Sequence, residues 1–106
     1  MKVSTTEDIA GYQVSQTLGV VTGNVVRSKH IGRDIMAGLK TIIGGEIVGY
    51  TEMLTEARQI AIERMLENAE ALGADAVVNV RFTTSAIMQG MSEMLAYGTA
   101  VKLARP

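Results

Sequence analysis

The chain of 106 residues lacks cysteine and tryptophan altogether, and it contains one phenylalanine, three tyrosines and one histidine. Without cysteine, neither a disulfide nor a thiolate metal site can stabilise the fold. Because aromatic rings are scarce, aliphatic residues, alanine and seven methionines must form the core, within an ordinary hydrophobic fraction of 47%. The length fits a single domain over residues 1–106.

An excess of charge of one sign is also missing, because the formal net charge is -1. This balance argues against a nucleic-acid partner bound through a broad positive field. No apolar run approaches the roughly 18 residues that span a bilayer. Residues 1–8 lack the apolar segment of a signal peptide. We therefore expect a cytoplasmic protein with no membrane partner.

Three segments have the composition or alternation of strands. Tyr12–Arg27 is rich in valine and threonine, and its glycines at 19 and 23 predict bulges or bends. Asp75–Ile87 alternates apolar with polar residues, which predicts a half-buried strand with Val78, Val80 and Phe82 on one face. Glu93–Leu103 follows a turn at residues 88–91 and should complete an antiparallel hairpin. Its predicted face consists of Leu95, Tyr97, Thr99, Val101 and Leu103.

Two segments have helical periodicity. His30–Ile43 predicts a short helix, and Thr51–Leu72 predicts a long one with Thr51 as N-cap and Gly73 at the left-handed C′ position. The long helix has a core-facing stripe formed by Met53, Ala57, Ile60, Ala61, Met65, Ala69 and Leu72. A second apolar line beside this stripe consists of Leu54, Ile62 and Leu66 and indicates a partner.

The order strand, short helix, long helix, strand, strand predicts an α+β fold with a three-stranded, mostly antiparallel sheet. One helix layer leaves the other face of the sheet uncovered, which favours a homo-oligomer. The predicted interface residues are the apolar side chains Ile35, Leu39, Ile43, Leu54, Ile62 and Leu66.

Three runs, GLKTIIGGEIVGYTEMLTEAR, ALGADAVVNVRF and EMLAYGTAV, resemble the YbjQ-like family of small bacterial proteins. The resemblance covers Thr5–Leu103. It implies a β-α-β-β subunit that assembles into a ring-shaped homopentamer. Members of this family carry a heavy-metal-binding label, and the resemblance supplies no catalytic residues.

A basic cluster precedes the short predicted helix and consists of Arg27, Lys29, His30 and Arg33. A helix start flanked by such residues can bind phosphate or carboxylate. The alternative is a solvated junction between a strand and a helix.

Two groups of side chains are candidates for binding a metal. Thioethers at Met88, Met91 and Met94 would select Cu(I), although methionine also fills gaps in cores and interfaces. Carboxylates at Glu46, Glu52 and Glu56 could bind a hard cation, or they could complement a helix dipole and pair with arginines.

Motifs for nucleophilic catalysis and for nucleotide binding are absent from the sequence. We therefore expect a ring-forming structural or ligand-binding protein that is not an enzyme and requires no cofactor. Its main partner would be itself, with a small ligand or a metal as a further partner. The alternative function is metal binding through methionine or glutamate side chains.

Overall fold

A computed structural model describes residues 1–28 and 48–106 of the chain. The described elements are β1 (Lys2–Val3), β2 (Gln13–Ser28), α1 (Val48–Ala71), β3 (Ala76–Met88) and β4 (Met91–Ala104). The short helix predicted over His30–Ile43 lies outside the described residues. No helix in the described part of the chain is long and apolar enough to cross a membrane.

The sheet has four strands in the order β1-β3-β4-β2, rather than the predicted three. The additional strand, β1, runs parallel to β3, and its Lys2 and Val3 lie beside Ala76 and Val77. The other pairings are antiparallel. A strand of two residues shows no alternation, which is why the sequence did not predict it.

The hairpin of β3 and β4 confirms the predicted turn. Met88 and Met91 are register partners across a two-residue loop, and Gly90 has a φ of 82°. The three long strands match the predicted segments to within two residues at each end.

The alternation predicted for β3 is wrong at one residue. Asn79 has a φ of 54°, and the register with β4 shifts between Val78 and Arg81. Asparagine tolerates this left-handed conformation better than most residues. Because of the bulge, Val77 and Val80 belong to the main core, whereas Val78 packs on the opposite face.

Helix α1 begins at Val48, one turn before Thr51, so the N-cap predicted at Thr51 is wrong. Residues 48–50 contain no proline that would stop the helix from extending toward its N-terminus. The predicted end is confirmed. Gly73 has a φ of 78°, its N–H donates to Glu70 O, and Ala74 N–H donates to Ala69 O, which together form a Schellman motif.

The core lies between α1 and one face of the sheet. From the predicted helical stripe, Ala57, Ala61, Met65 and Ala69 are buried. The helix backbone lies very close to β2 at Gly23, where a Cβ atom would overlap Ala61 O and Met65 N. Gly23 therefore marks a close approach of helix and strand rather than the predicted bulge. The bulge predicted at Gly19 is confirmed by a register shift and a φ of 130°.

Residues 1–28 and 48–106 cover the opposite face of the sheet only at one end. There Ile9 and Leu103 pack against Ala76, Val78 and Val101. Farther along this face, Val20 is 74% exposed and Tyr97 is 37% exposed. The face predicted for β4 from Leu95 to Leu103 is this one, because the alternate residues Ala96 and Ala100 contact the main core.

Candidate functional site

The acidic candidates on α1 line an open groove. Glu52, Thr55, Glu56 and Gln59 surround a volume of about 420 Å³ along the first half of the helix. Glu52 and Glu56 are both exposed and lie one helical turn apart, so they share a face. Glu46, the third acidic candidate, lies outside the described residues.

Arg27 extends from the end of β2 to this groove. Its Nη2 lies 3.5 Å from Glu56 Oε1, and the Glu56 side chain is 68% exposed. Such an exposed ion pair contributes little stability because water screens it. The Nε of Arg27 is buried and has no hydrogen-bond partner within residues 1–28 and 48–106. The other members of the basic cluster, Lys29, His30 and Arg33, lie outside these ranges, so the predicted anion site stays a prediction.

The three methionines of the predicted thioether site do not converge. Met88 and Met91 are cross-strand partners beside the hairpin turn, and Met88 is 60% exposed. Met94 is buried in the main core, where Thr84 Oγ1 donates to its Sδ at 3.5 Å. Met94 therefore fills the core, and of these three candidates only Met88 and Met91 lie outside it.

A heavy-metal site with several strong ligands is not formed by the described part of one chain. It contains no group of three or more histidine, cysteine, aspartate or glutamate side chains that could hold an ion. Thioether ligands such as those of Met88 and Met91 select soft ions such as Cu(I).

The predicted interface residues that the structure describes are used partly inside the subunit. Leu54, Ile62 and Leu66 are half-buried, and Ile62 and Leu66 pack against the main core. The second apolar line on α1 therefore packs partly against the core of its own subunit. Ile35, Leu39 and Ile43 lie outside the described residues.

A cleft at the chain ends has no counterpart in the sequence analysis. Its volume is about 380 Å³, and it is lined by Lys2, Tyr12, Asp75, Leu103, Ala104 and Arg105. Lys2 Nζ lies 5.1 Å from the centre of the Tyr12 ring. Asp75 Oδ2 accepts a hydrogen bond from Leu103 N–H at 2.9 Å. The lining residues are far apart in the sequence, so no local spacing could have predicted this cleft.

Comparison with known proteins shows close relatives over the whole chain. A UPF0145 protein of Photobacterium profundum is 73% identical over 99 residues, which are 93% of this chain and 96% of that protein. A UPF0145 protein of Thermotoga maritima is 65% identical over 103 residues, which are 97% of each chain.

A crystal structure from Pediococcus pentosaceus has the same fold. That protein, described as a member of the DUF74 family with unknown function, gives a TM-score of 0.65 at 17% identity and covers 98% of both chains. At this identity the likeness concerns the fold alone. The family model YbjQ_1, described as "Putative heavy-metal-binding", matches residues 1–104. The match confirms the resemblance found in the sequence, and the chain belongs to the YbjQ family.

Proposed function

We propose that this protein is a non-catalytic subunit of a ring-shaped homo-oligomer, with five copies favoured, and that the ring acts as a structural or ligand-binding body in the cytoplasm. The observation that carries the proposal is one face of the sheet, which the described residues leave largely uncovered. Helix α1 covers the other face, and residues 1–12 cover only the end near Val101.

The uncovered face has the composition of a contact surface. Exposed Val20, Val26 and Tyr97 lie on it beside half-buried Leu95. Its described polar contacts are few, with Asn24 Nδ2 donating to Glu93 Oε2 at 2.9 Å. On β2 these apolar side chains are interspersed with Thr22 and Asn24, and exposed apolar residues on one face of a small domain favour an interaction surface. Because the family resemblance implies a ring, we assign this surface to a neighbouring copy.

Native mass spectrometry of the purified, untagged protein tests this proposal. We expect a mass about five times the 11.3 kDa of one chain. A monomer at the micromolar concentrations of the assay would overturn the proposal. A reproducible additional mass on the oligomer would identify the class of a bound ligand.

Metal binding is the second candidate function, and the cross-strand pair of Met88 and Met91 favours it. Titration with Cu(I) against a chromophoric competitor measures this binding directly. We expect the Met88→Leu, Met91→Leu double variant to lose the binding that wild type shows. Met94→Leu serves as the matched control, because Met94 is buried in the core. Equal binding by all three proteins would reject the Met88–Met91 pair as the site.

A further inference from the structure

The cleft at the chain ends is built from four separate segments of the chain. We call it the terminal cleft, and it is lined by Lys2, Tyr12, Asp75, Leu103, Ala104 and Arg105. Strand β1 supplies Lys2, the residue before β2 supplies the Tyr12 ring, and the end of β4 supplies Leu103. Its volume of about 380 Å³ lies within the range of small-molecule sites.

Hydrogen bonds on both sides fix the position of Asp75 in this cleft. Its N–H donates to Val101 O at 2.9 Å, and its carbonyl oxygen accepts from Lys2 N–H at 3.4 Å. Its side-chain Oδ2 accepts from Leu103 N–H at 2.9 Å. A carboxylate has about four lone-pair sites, and no described residue bonds to Oδ1. The carboxylate is therefore held by β1 and β4 while Oδ1 stays available to a ligand.

Two cations line the terminal cleft without a carboxylate partner. Lys2 Nζ lies 5.1 Å from the centre of the Tyr12 ring, a distance typical of a cation–π contact, so the ring holds the ammonium group in place. Among residues 1–28 and 48–106, no carboxylate oxygen lies within 4.0 Å of Lys2 Nζ or of the Arg105 guanidinium. The described part of the chain therefore leaves both cations free to bind an anion.

The charges of the lining predict the charges of the ligand. Lys2 and Arg105 can each bind a carboxylate, and Arg105 can do so through two parallel N–H groups. Asp75 can bind an ammonium group through Oδ1. Tyr12 and Leu103 are half-buried and supply the apolar part of the lining. A phosphate fits less well, because its negative charge would be repelled by the nearby Asp75 carboxylate.

We propose that the terminal cleft binds a small molecule with two carboxylates and one ammonium group, which is the chemistry of an acidic amino acid. The carboxylates bind Lys2 and Arg105, and the ammonium group binds Asp75. The inference rests on the proposed function, because it names a class of ligand for a ligand-binding body. It does not depend on the ring, since all the lining residues belong to one copy of the chain.

A titration followed by nuclear magnetic resonance tests the proposal on the purified, isotope-labelled protein. The probes are L-glutamate, glutarate, which lacks only the ammonium group, and inorganic phosphate, each added at constant pH and ionic strength. We expect L-glutamate to shift the amide signals of Leu103 and Ala104 saturably. We expect glutarate and phosphate to bind more weakly, on the order of tenfold, because each loses the charge-assisted hydrogen bond to Asp75.

Three charge variants identify the cationic contacts. Lys2→Gln and Arg105→Gln should each weaken the binding of L-glutamate on the order of tenfold, because each removes one charge-assisted hydrogen bond. Lys102→Gln is the matched control, since it removes the same charge from an exposed residue that does not line the cleft. Salt screens such a distant charge, so the affinity should stay within about twofold. Equal losses in all three variants would indicate general attraction by positive charge and overturn the proposal.

Asp75→Asn tests the ammonium contact. Asparagine keeps a side-chain oxygen that can accept from Leu103 N–H, but it removes the negative charge. We expect this variant to bind L-glutamate more weakly and glutarate more tightly than wild type does, because only glutarate lacks the group that needs the charge. Weakening of both probes by the same factor would reject the contact between Asp75 and an ammonium group.

The remaining outcomes separate this inference from the proposed ring. If no probe shifts the cleft signals saturably in an oligomer of confirmed mass, then the terminal cleft is rejected and the ring stands. Phosphate binding as tight as that of L-glutamate would reject the amino-acid chemistry. Saturable binding of L-glutamate at the cleft of a monomeric protein would support the inference and reject only the ring.

Discussion

Replacing Gly23 by alanine tests the packing of α1 on the sheet. A Cβ atom at this position would overlap Ala61 O and Met65 N and would lie 2.9 Å from the carbonyl carbon of Arg64. All three atoms belong to the helix main chain, so no change of rotamer can make room. The helix would have to move away from β2.

The expected cost follows from what that movement separates. A gap of 0.5–1 Å forfeits about a quarter to a half of the van der Waals energy of the contacts it opens. The contacts at risk are those of the fully buried stripe on α1, including Ala61, Met65 and Ala69. Overpacking usually costs about 1–3 kcal/mol, and the rigid obstacle places Gly23→Ala at about 3 kcal/mol or more. For a chain of this size that corresponds to a loss of roughly 12 °C or more in Tm.

Thermal unfolding followed by circular dichroism at a fixed protein concentration measures this effect. Gly11→Ala is the comparison variant, because Gly11 has a φ of 83° and open space around it. It should lose only about 1 kcal/mol through backbone strain. A Tm for Gly23→Ala within about 3 °C of wild type would refute the close approach of helix and strand.

A double-mutant cycle separates main-chain from side-chain obstacles. At Gly98 the nearest atom to an added Cβ is Val77 Cγ1, at 2.7 Å. Val77→Ala should therefore recover part of the stability lost in Gly98→Ala. Met65→Ala should recover none of the loss in Gly23→Ala, because the obstacle is the backbone of α1. Equal recovery in the two cycles would contradict this distinction.

Three further predictions concern single contacts. Asn68→Ala should cost on the order of 1 kcal/mol in urea unfolding, because it removes the hydrogen bond to Thr22 O; an unchanged midpoint would mean that water replaces the amide fully. Gly73→Ala should cost about 1 kcal/mol because its φ is 78°, and Gly73→Asn should cost less. Val20→Lys should lower the oligomer mass if the uncovered face is a contact, with Glu63→Lys on the exposed side of α1 as the control. An unchanged mass for Val20→Lys would place the contact elsewhere.

The periodic elements were predictable because they span many residues with one repeat. The stripe on α1 and the valine-rich β2 each repeat their pattern several times, so single exceptions do not obscure them. Gly73 was predictable as well, because a glycine directly after an apolar helical pattern has few other roles. The start of the helix was not predictable, because a threonine such as Thr51 permits a helix to begin there without requiring it.

The remaining features depend on contacts that are distant in sequence. Gly19 and Gly23 look equivalent in the sequence, yet the first forms a bulge and the second accommodates the backbone of α1. Asn79 interrupts an alternation that appears regular. The separation of Met94 from Met88 and Met91 follows from the face of β4 on which each residue lies. Spacing of three residues could not predict that, because the turn at 89–90 lies within the run.

The close approach at Gly23 also protects an edge of the sheet, which gives Gly23→Ala a second consequence. Arg64 and Asn68 reach Asn24 O and Thr22 O only because α1 lies so near β2. Moving the helix away should free these carbonyl groups for pairing with other chains. We therefore expect Gly23→Ala to scatter light at temperatures below its own unfolding midpoint. Gly73→Ala destabilises the helix end but leaves Arg64 and Asn68 in position, so its scattering should begin only with unfolding. If both variants aggregate only as they unfold, then α1 does not protect the β2 edge.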